Sequence, residues 1–165
     1  MITMIEYSLT KLSPENAKMI TLWRYPPPYD LYDLSERDLL GFINPDYRYH
    51  QVEDQDGLLV GYCCFGEDAT VPGGDYKVGE PEILDVGVGL KPELTGKGLG
   101  KNFVRAVVDY GIINFGPEKL RVTVARFNQR SLRTFLGLGF EITRTFTRDL
   151  VEIEFCQLEK SAHEV

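Results

Sequence analysis

The sequence predicts an α/β fold built on a mixed sheet, and three observations carry that expectation. Strand-like and helix-like segments follow one another in the order β-α-α-β-β-β-α-β-α-β-β. The middle of that order is strand, helix, strand, which requires a crossover connection and hence a parallel pair. A glycine-rich turn joins strand to helix at the crossover.

Residues 2–9 have strand character. Ser13 is placed to cap a helix with Pro14 at its first position, and Ala17, Ile20 and Leu22 carry it to about Arg24. Tyr25-Pro26-Pro27-Pro28-Tyr29 ends that helix, because proline lacks the amide donor and clashes with the preceding turn. Ser35-Glu36-Arg37-Asp38 starts a short helix that closes near Phe42. Residues 47–53 and 58–66 read as a hairpin turning at Asp56-Gly57. A glycine-rich loop over 67–80 leads into a strand over 82–90. Leu99, Phe103, Ala106, Val107 and Tyr110 recur at helical spacing across 98–115. A β-branched strand (120–125), a helix (129–136) closed by Gly137-Leu138-Gly139, and strands at 140–147 and 151–158 complete the chain.

Composition bounds the function. At 165 residues, 43% hydrophobic and 26% charged, residues 1–165 fit a single domain with a proper core. A formal net charge of -7 argues against nucleic acid or an anionic membrane as partner and is compatible with a cationic amine. No apolar run approaches the roughly 20 residues of a membrane span, and the first residues lack a signal peptide's basic start, so the expected compartment is the cytoplasm. Cys63, Cys64 and Cys156 read as small buried hydrophobes, and with only His50 and His163 beside them no metal site is expected.

The informative stretch runs from Val86 through Gly89, Thr95, Gly96, Lys97, Gly98, Leu99 and Gly100 to Lys101. Strand, glycine turn and helix start together present free amides and the positive end of a helix dipole, a natural anion site. Glycines let the backbone approach a phosphate, and Lys97 and Lys101 add positive charge. A pyrophosphate-bearing ligand is the natural reading. The P-loop fits worse, since six residues separate Gly89 from Gly96 and glycine follows Lys97. The dinucleotide fingerprint fits worse too, because the glycines run Gly96-x-Gly98-x-Gly100 and the next strand ends in Ala125-Arg126 rather than an acid; a nucleotide-binding domain using this loop remains a rival.

Thr95-Gly96-Lys97-Gly98-Leu99-Gly100 resembles the Gln/Arg-x-x-Gly-x-Gly/Ala signature of the GNAT superfamily of N-acetyltransferases, with Thr95 departing at the first position. Asn128, Ser131 and Gly139-Phe140 match a second pattern of that family, with Phe135 where a tyrosine is expected. The resemblance implies a GNAT (acyl-CoA N-acyltransferase) fold: a mixed, mostly antiparallel sheet with helices on both faces. It implies acetyl-CoA as donor, pairing through its pantetheine arm with Val86, Val88 and Leu90. Asn128 would bond to that arm, and Phe135 would line the pocket near the sulfur. A homodimer is also in keeping with the family.

Direct attack requires a neutral amine, hence a base. Asp85 shares a face with Gly87 and Gly89 and is the first candidate, Glu82 the second, with Glu80 close by. Since Phe135 cannot donate a proton, an acid would have to come from Tyr29, Tyr32, Tyr110 or water. The acceptor, a small-molecule or peptide amine, is expected against the segment that holds Tyr25, Tyr29, Asp30, Tyr32 and Asp33, whose rings and carboxylates suit an ammonium. The expected activity is an acyl-CoA-dependent N-acetyltransferase; the alternative is an acyl-CoA-binding module without turnover.

Overall fold

The computed structural model describes residues 6–76, 82–148 and 151–163. Residues 2–5 of the expected first strand, Glu80 and the turn residue Asp149 therefore lie outside the described residues. The elements are β1 (Ser8–Lys11), α1 (Pro14–Thr21), α2 (Leu39–Ile43), β2 (His50–Glu53), β3 (Leu59–Phe65), β4 (Ile83–Leu90), α3 (Gly100–Phe115), β5 (Lys119–Ala125), α4 (Gln129–Gly137), β6 (Glu141–Arg148) and β7 (Ile153–Ser161). Their order is the one the sequence predicts.

The seven strands form one sheet in the order β1-β2-β3-β4-β5-β7-β6. The β4–β5 pair is parallel and the others are antiparallel. Helix α3 makes the crossover between β4 and β5, so the sheet's single parallel step coincides with the glycine turn that precedes α3.

Alternation along the strands separates two apolar faces. On one face Cys63, Phe65, Val86 and Val122 pack with Phe103 and Val107 of α3 and with Leu132 and Phe135 of α4. On the other, Leu12, Ala17 and Ile20 pack with Trp23, Phe42, Tyr49 and Tyr62. Cys63 joins the α3 side while its neighbour Cys64 lies beside Gly87 on the opposite side; all three cysteines are buried and unbridged.

Local chemistry sets the helix ends. Ser13 Oγ accepts the Asn16 amide at 3.1 Å, capping α1 as the sequence predicts. The helix stops at Thr21 rather than near Arg24, because the Arg24 guanidinium bonds the Thr21 and Trp23 carbonyls and turns the chain out. Helix α3 starts at Gly100 rather than Gly98, since Gly96 and Gly98 take positive φ of 73° and 78°, outside the helical region.

Candidate active site

β4 and β5 are laddered only from Ile83↔Lys119 to Asp85↔Arg121. Beyond that point they part, leaving strand edges that face each other without pairing. A cavity of about 800 Å³ opens in the gap, lined by Val86, Val88 and Leu90 of β4 and by Val122 and Val124 of β5. An extended ligand with amide groups fits such a gap, because both edges offer backbone donors and acceptors.

The strands are locked where they divide. The Asp85 carboxylate accepts from Arg121 Nε at 2.7 Å and Arg121 Nη2 at 2.9 Å, and both residues are buried. Arg121 Nη2 also donates to the Tyr76 carbonyl at 3.0 Å, and the guanidinium lies 4.8 Å from the Tyr76 ring centroid. The carboxylate partner raises the Arg121 pKa above its ordinary value. The expected open, ligand-facing carboxylate is thus corrected: both Asp85 oxygens are engaged and Asp85 does not line the cavity. Glu82 is exposed before the start of β4 and does not line it either.

Gly87 and Gly89 also serve differently from expectation. The β3–β4 register runs from Gly61↔Leu90 to Phe65↔Val86 without a break, so no bulge forms there. A Cβ on Gly89 would stand 2.2 Å from Tyr62 Cε1, and one on Gly87 would stand 2.9 Å from Cys64 Sγ. The glycines admit side chains of β3, and Tyr62 becomes part of the cavity wall.

One end of the cavity is the glycine turn that precedes α3. Thr95, Gly96, Gly98, Gly100 and Lys101 line it, whereas Lys97 and Leu99 do not. The first amides of α3 have no partners within the helix and point toward this turn. Gly98 has nothing within 4 Å of where a Cβ would be, so the turn is open to a ligand. The Thr95 hydroxyl instead donates to the Pro92 carbonyl at 2.7 Å. These features fit a pyrophosphate-bearing acyl donor.

The other end is aromatic. Tyr25, Tyr29 and Tyr32 line the cavity together with Leu31, Leu34 and Tyr62. Tyr25 donates its hydroxyl to the Leu90 carbonyl at 2.6 Å, and the Asp33 carboxylate accepts the Tyr25 amide at 2.9 Å. Burial, then the nearby Asp33 and Glu93 charges, push the Tyr25 phenol upward. Asp30 is exposed and outside the lining, and Asp33 is engaged with the backbone, which corrects the expectation that these carboxylates receive the ammonium.

Asn128 works at both ends of its amide. Its Oδ1 accepts the Ser131 amide at 3.2 Å and caps α4, while Nδ2 donates to the Tyr32 hydroxyl at 3.2 Å. Burial raises the Tyr32 pKa, opposed by its hydrogen bonds with Asn128 and the Ala125 backbone. Phe135 lines the cavity, almost fully buried against Phe140. Tyr110 lies away from it, with its hydroxyl 3.1 Å from His50 Nε2.

Sequence reasoning missed Tyr62, Leu34, Arg130, Arg133 and Thr134, all of which line the cavity, and gave Ser131 no role beyond its place in the family pattern. Arg130 and Ser131 follow Asn128 within the second family pattern, a signal that was available. Nothing local to Tyr62 distinguishes it from any hairpin aromatic. Among the described residues no group of three His, Cys, Asp or Glu is arranged to hold a metal, and no helix is long and apolar enough to cross a membrane.

Known proteins share this fold and part of this sequence. The human Alpha/beta-tubulin-N-acetyltransferase 9 is 34% identical over 71 residues, covering 43% of this chain and 32% of that protein. The match therefore spans about a third of the relative's length. An acetyltransferase (GNAT family) from Bacillus anthracis superposes with a TM-score of 0.73 at 15% identity, over 96% of both chains. The Salmonella typhimurium protein yncA, solved with its cofactor acetyl-CoA, superposes with a TM-score of 0.66 at 16% identity, over 96% of this chain and 95% of that one. At such identities these structures establish the fold. The family profile described as "Acetyltransferase (GNAT) domain" matches residues 12–141, and the chain belongs to that acetyltransferase family.

Proposed function

We propose that this protein transfers the acetyl group of acetyl-CoA to an amine by direct attack. The observation that carries the reading is the cavity between the parted strands, which runs from the glycine turn at α3 to the tyrosines of the 25–34 segment. Bound acetyl-CoA supplies an activated thioester carbonyl. The turn residues Gly96, Gly98 and Gly100, with Lys101, hold its phosphates, and the free edge of β4 over Val86, Val88 and Leu90 holds its pantetheine arm.

The aromatic end receives the acceptor. Tyr25, Tyr29 and Tyr32 line this end with aromatic surface that suits an ammonium and excludes bulk water. The acceptor nitrogen must lose a proton before it attacks, and among the described residues no carboxylate or imidazole lines the cavity. Water in the cavity is therefore assigned that proton. Asp85 enters as the anchor of the strand split, since both its oxygens are bonded to the Arg121 guanidinium and it does not line the cavity.

The hydroxyl absent from position 135 is supplied by Tyr32. Its oxygen accepts from Asn128 Nδ2, which leaves the phenolic proton free to point into the cavity. As the carbon–nitrogen bond forms and the carbon–sulfur bond breaks, Tyr32 delivers this proton to the departing thiolate, and its phenolate is reprotonated by the proton that the acylated nitrogen sheds. The raised pKa keeps the phenol protonated at neutral pH.

Thermal unfolding with and without acetyl-CoA, with ATP and NAD as controls, tests the donor. A ligand at 100 times its dissociation constant stabilises the folded state by about 2.7 kcal/mol. Stabilisation by acetyl-CoA alone, followed by thiol release with an amine panel, is the expected result. No shift, or a shift with ATP or NAD instead, sinks the reading. Stabilisation without thiol release for any amine identifies a binding module without turnover.

A further inference from the structure

We infer that Arg130, rather than residue 95, clamps the donor's pyrophosphate, and that its stack on Tyr29 ties donor binding to the acceptor wall. This rests on the acetyl-CoA reading above.

Three independent features converge on Arg130. Thr95 occupies the position where the family signature carries Gln or Arg, and its short side chain is turned back onto the Pro92 carbonyl. Arg130, on the first turn of α4, reaches over the same turn from the other side. Its Nη1 lies 3.0 Å from where a Cβ on Gly96 would stand, so the guanidinium occupies the face that glycine leaves clear. Its Cζ sits 4.3 Å from the Tyr29 ring centroid. A guanidinium stacked on a ring keeps its edge free, and that edge is the fork that binds phosphate oxygens two at a time.

The charge balance of the arginines supports the same role. Arg121, Arg126 and Arg144 are paired with Asp85, Glu154 and Asp75. Among the described residues no carboxylate pairs with Arg130 or Arg133, the two arginines that line the cavity, although the protein carries a net charge of -7. Of the two it is Arg130 that lies against Gly96. Arg130 is thus an uncompensated cation lining the cavity at the glycine turn. Bound pyrophosphate would fix the guanidinium, and through it the Tyr29 ring against which the acceptor lies. Donor and acceptor then bind with positive coupling.

Calorimetric titration of CoA and of dephospho-CoA into the wild type, Arg130→Gln, Arg130→Lys and Tyr29→Ala tests this. Dephospho-CoA retains the pyrophosphate and lacks the 3′-phosphate. Arg130→Gln is expected to weaken both ligands at least tenfold by the same factor, with Arg130→Lys intermediate. Tyr29→Ala is expected to weaken both about threefold, because the guanidinium loses its support. Unliganded thermal unfolding of each variant verifies the fold. An unchanged affinity in Arg130→Gln overturns the inference and leaves the acetyl-CoA reading standing. A loss confined to CoA moves Arg130 to the 3′-phosphate and overturns it as well. Failure of the wild type to bind either ligand removes the acetyl-CoA reading itself.

Discussion

Arg121 holds Asp85 through two hydrogen bonds at the last paired rung of β4 and β5. The pair is buried, so its two halves have different consequences when removed singly and together. Asp85→Ala leaves an uncompensated guanidinium and should cost about 3–5 kcal/mol of stability, whereas replacing both residues with leucine should be nearly neutral or stabilising. Chemical denaturation measures both. If Asp85 were instead the base, Asp85→Asn assayed where it remains folded would lose the acidic limb of the kcat/KM profile. We expect that limb to stay in place.

Tyr32→Phe removes the proposed acid with little change in shape. General acid catalysis is worth roughly 10²–10⁴-fold, and a thiolate is an undemanding leaving group, so the loss in kcat should lie near the low end of that range. The thermal shift given by acetyl-CoA should be retained, which separates loss of chemistry from loss of binding. A kcat equal to that of the wild type would return the proton donor to water.

His50 provides a pH test independent of the active site. Its Nδ1 lies 2.8 Å from the Arg48 carbonyl, which can only accept, so Nδ1 carries the proton and Nε2 accepts from Tyr110. Burial lowers its pKa from the ordinary 6.5, opposed by the Arg48 carbonyl. With the folded pKa below the unfolded one, the unfolded chain binds the proton first as pH falls. Stability from this group is therefore present above pH 6.5 and is lost on acidification toward the folded pKa. The Tm of His50→Gln should fall less steeply than that of the wild type between pH 7.5 and 5.5. Equal slopes would remove His50 from the pH response.

The elements were legible because their signals are local. Ser13-Pro14 starts α1 through a bond reaching three residues ahead, and the apolar spacing of Phe103 and Val107 marks the face of α3 that is buried. The turn before α3 was legible for the same reason, since Gly96 and Gly98 take a positive φ that strains any residue with a Cβ. The roles of single side chains were not, because distant partners set them. Strand alternation correctly put Asp85 on the face of Gly87 and Gly89, but Arg121, 36 residues away, decides that it is locked. Asn128 was singled out from the sequence and lines the cavity, yet its bond to Tyr32 spans 96 residues and leaves no trace in spacing. Arg130 comes against Gly96 only when α4 is folded back over that turn.

Gly98→Ala separates conformational cost from ligand cost at the glycine turn. Gly98 has φ 78°, a region that costs a residue with a Cβ roughly 1–2 kcal/mol. Nothing lies within 4 Å of the new methyl, so no clash adds to that strain and the variant should fold. The methyl would project into open space at the turn proposed to hold the donor's phosphates, and should weaken acetyl-CoA binding by about tenfold or more. Thermal unfolding gives the first effect and calorimetric titration the second. A stability loss with unchanged acetyl-CoA affinity would mean that the turn is shaped by glycine for the chain's own path into α3, and that the phosphates lie elsewhere along the cavity.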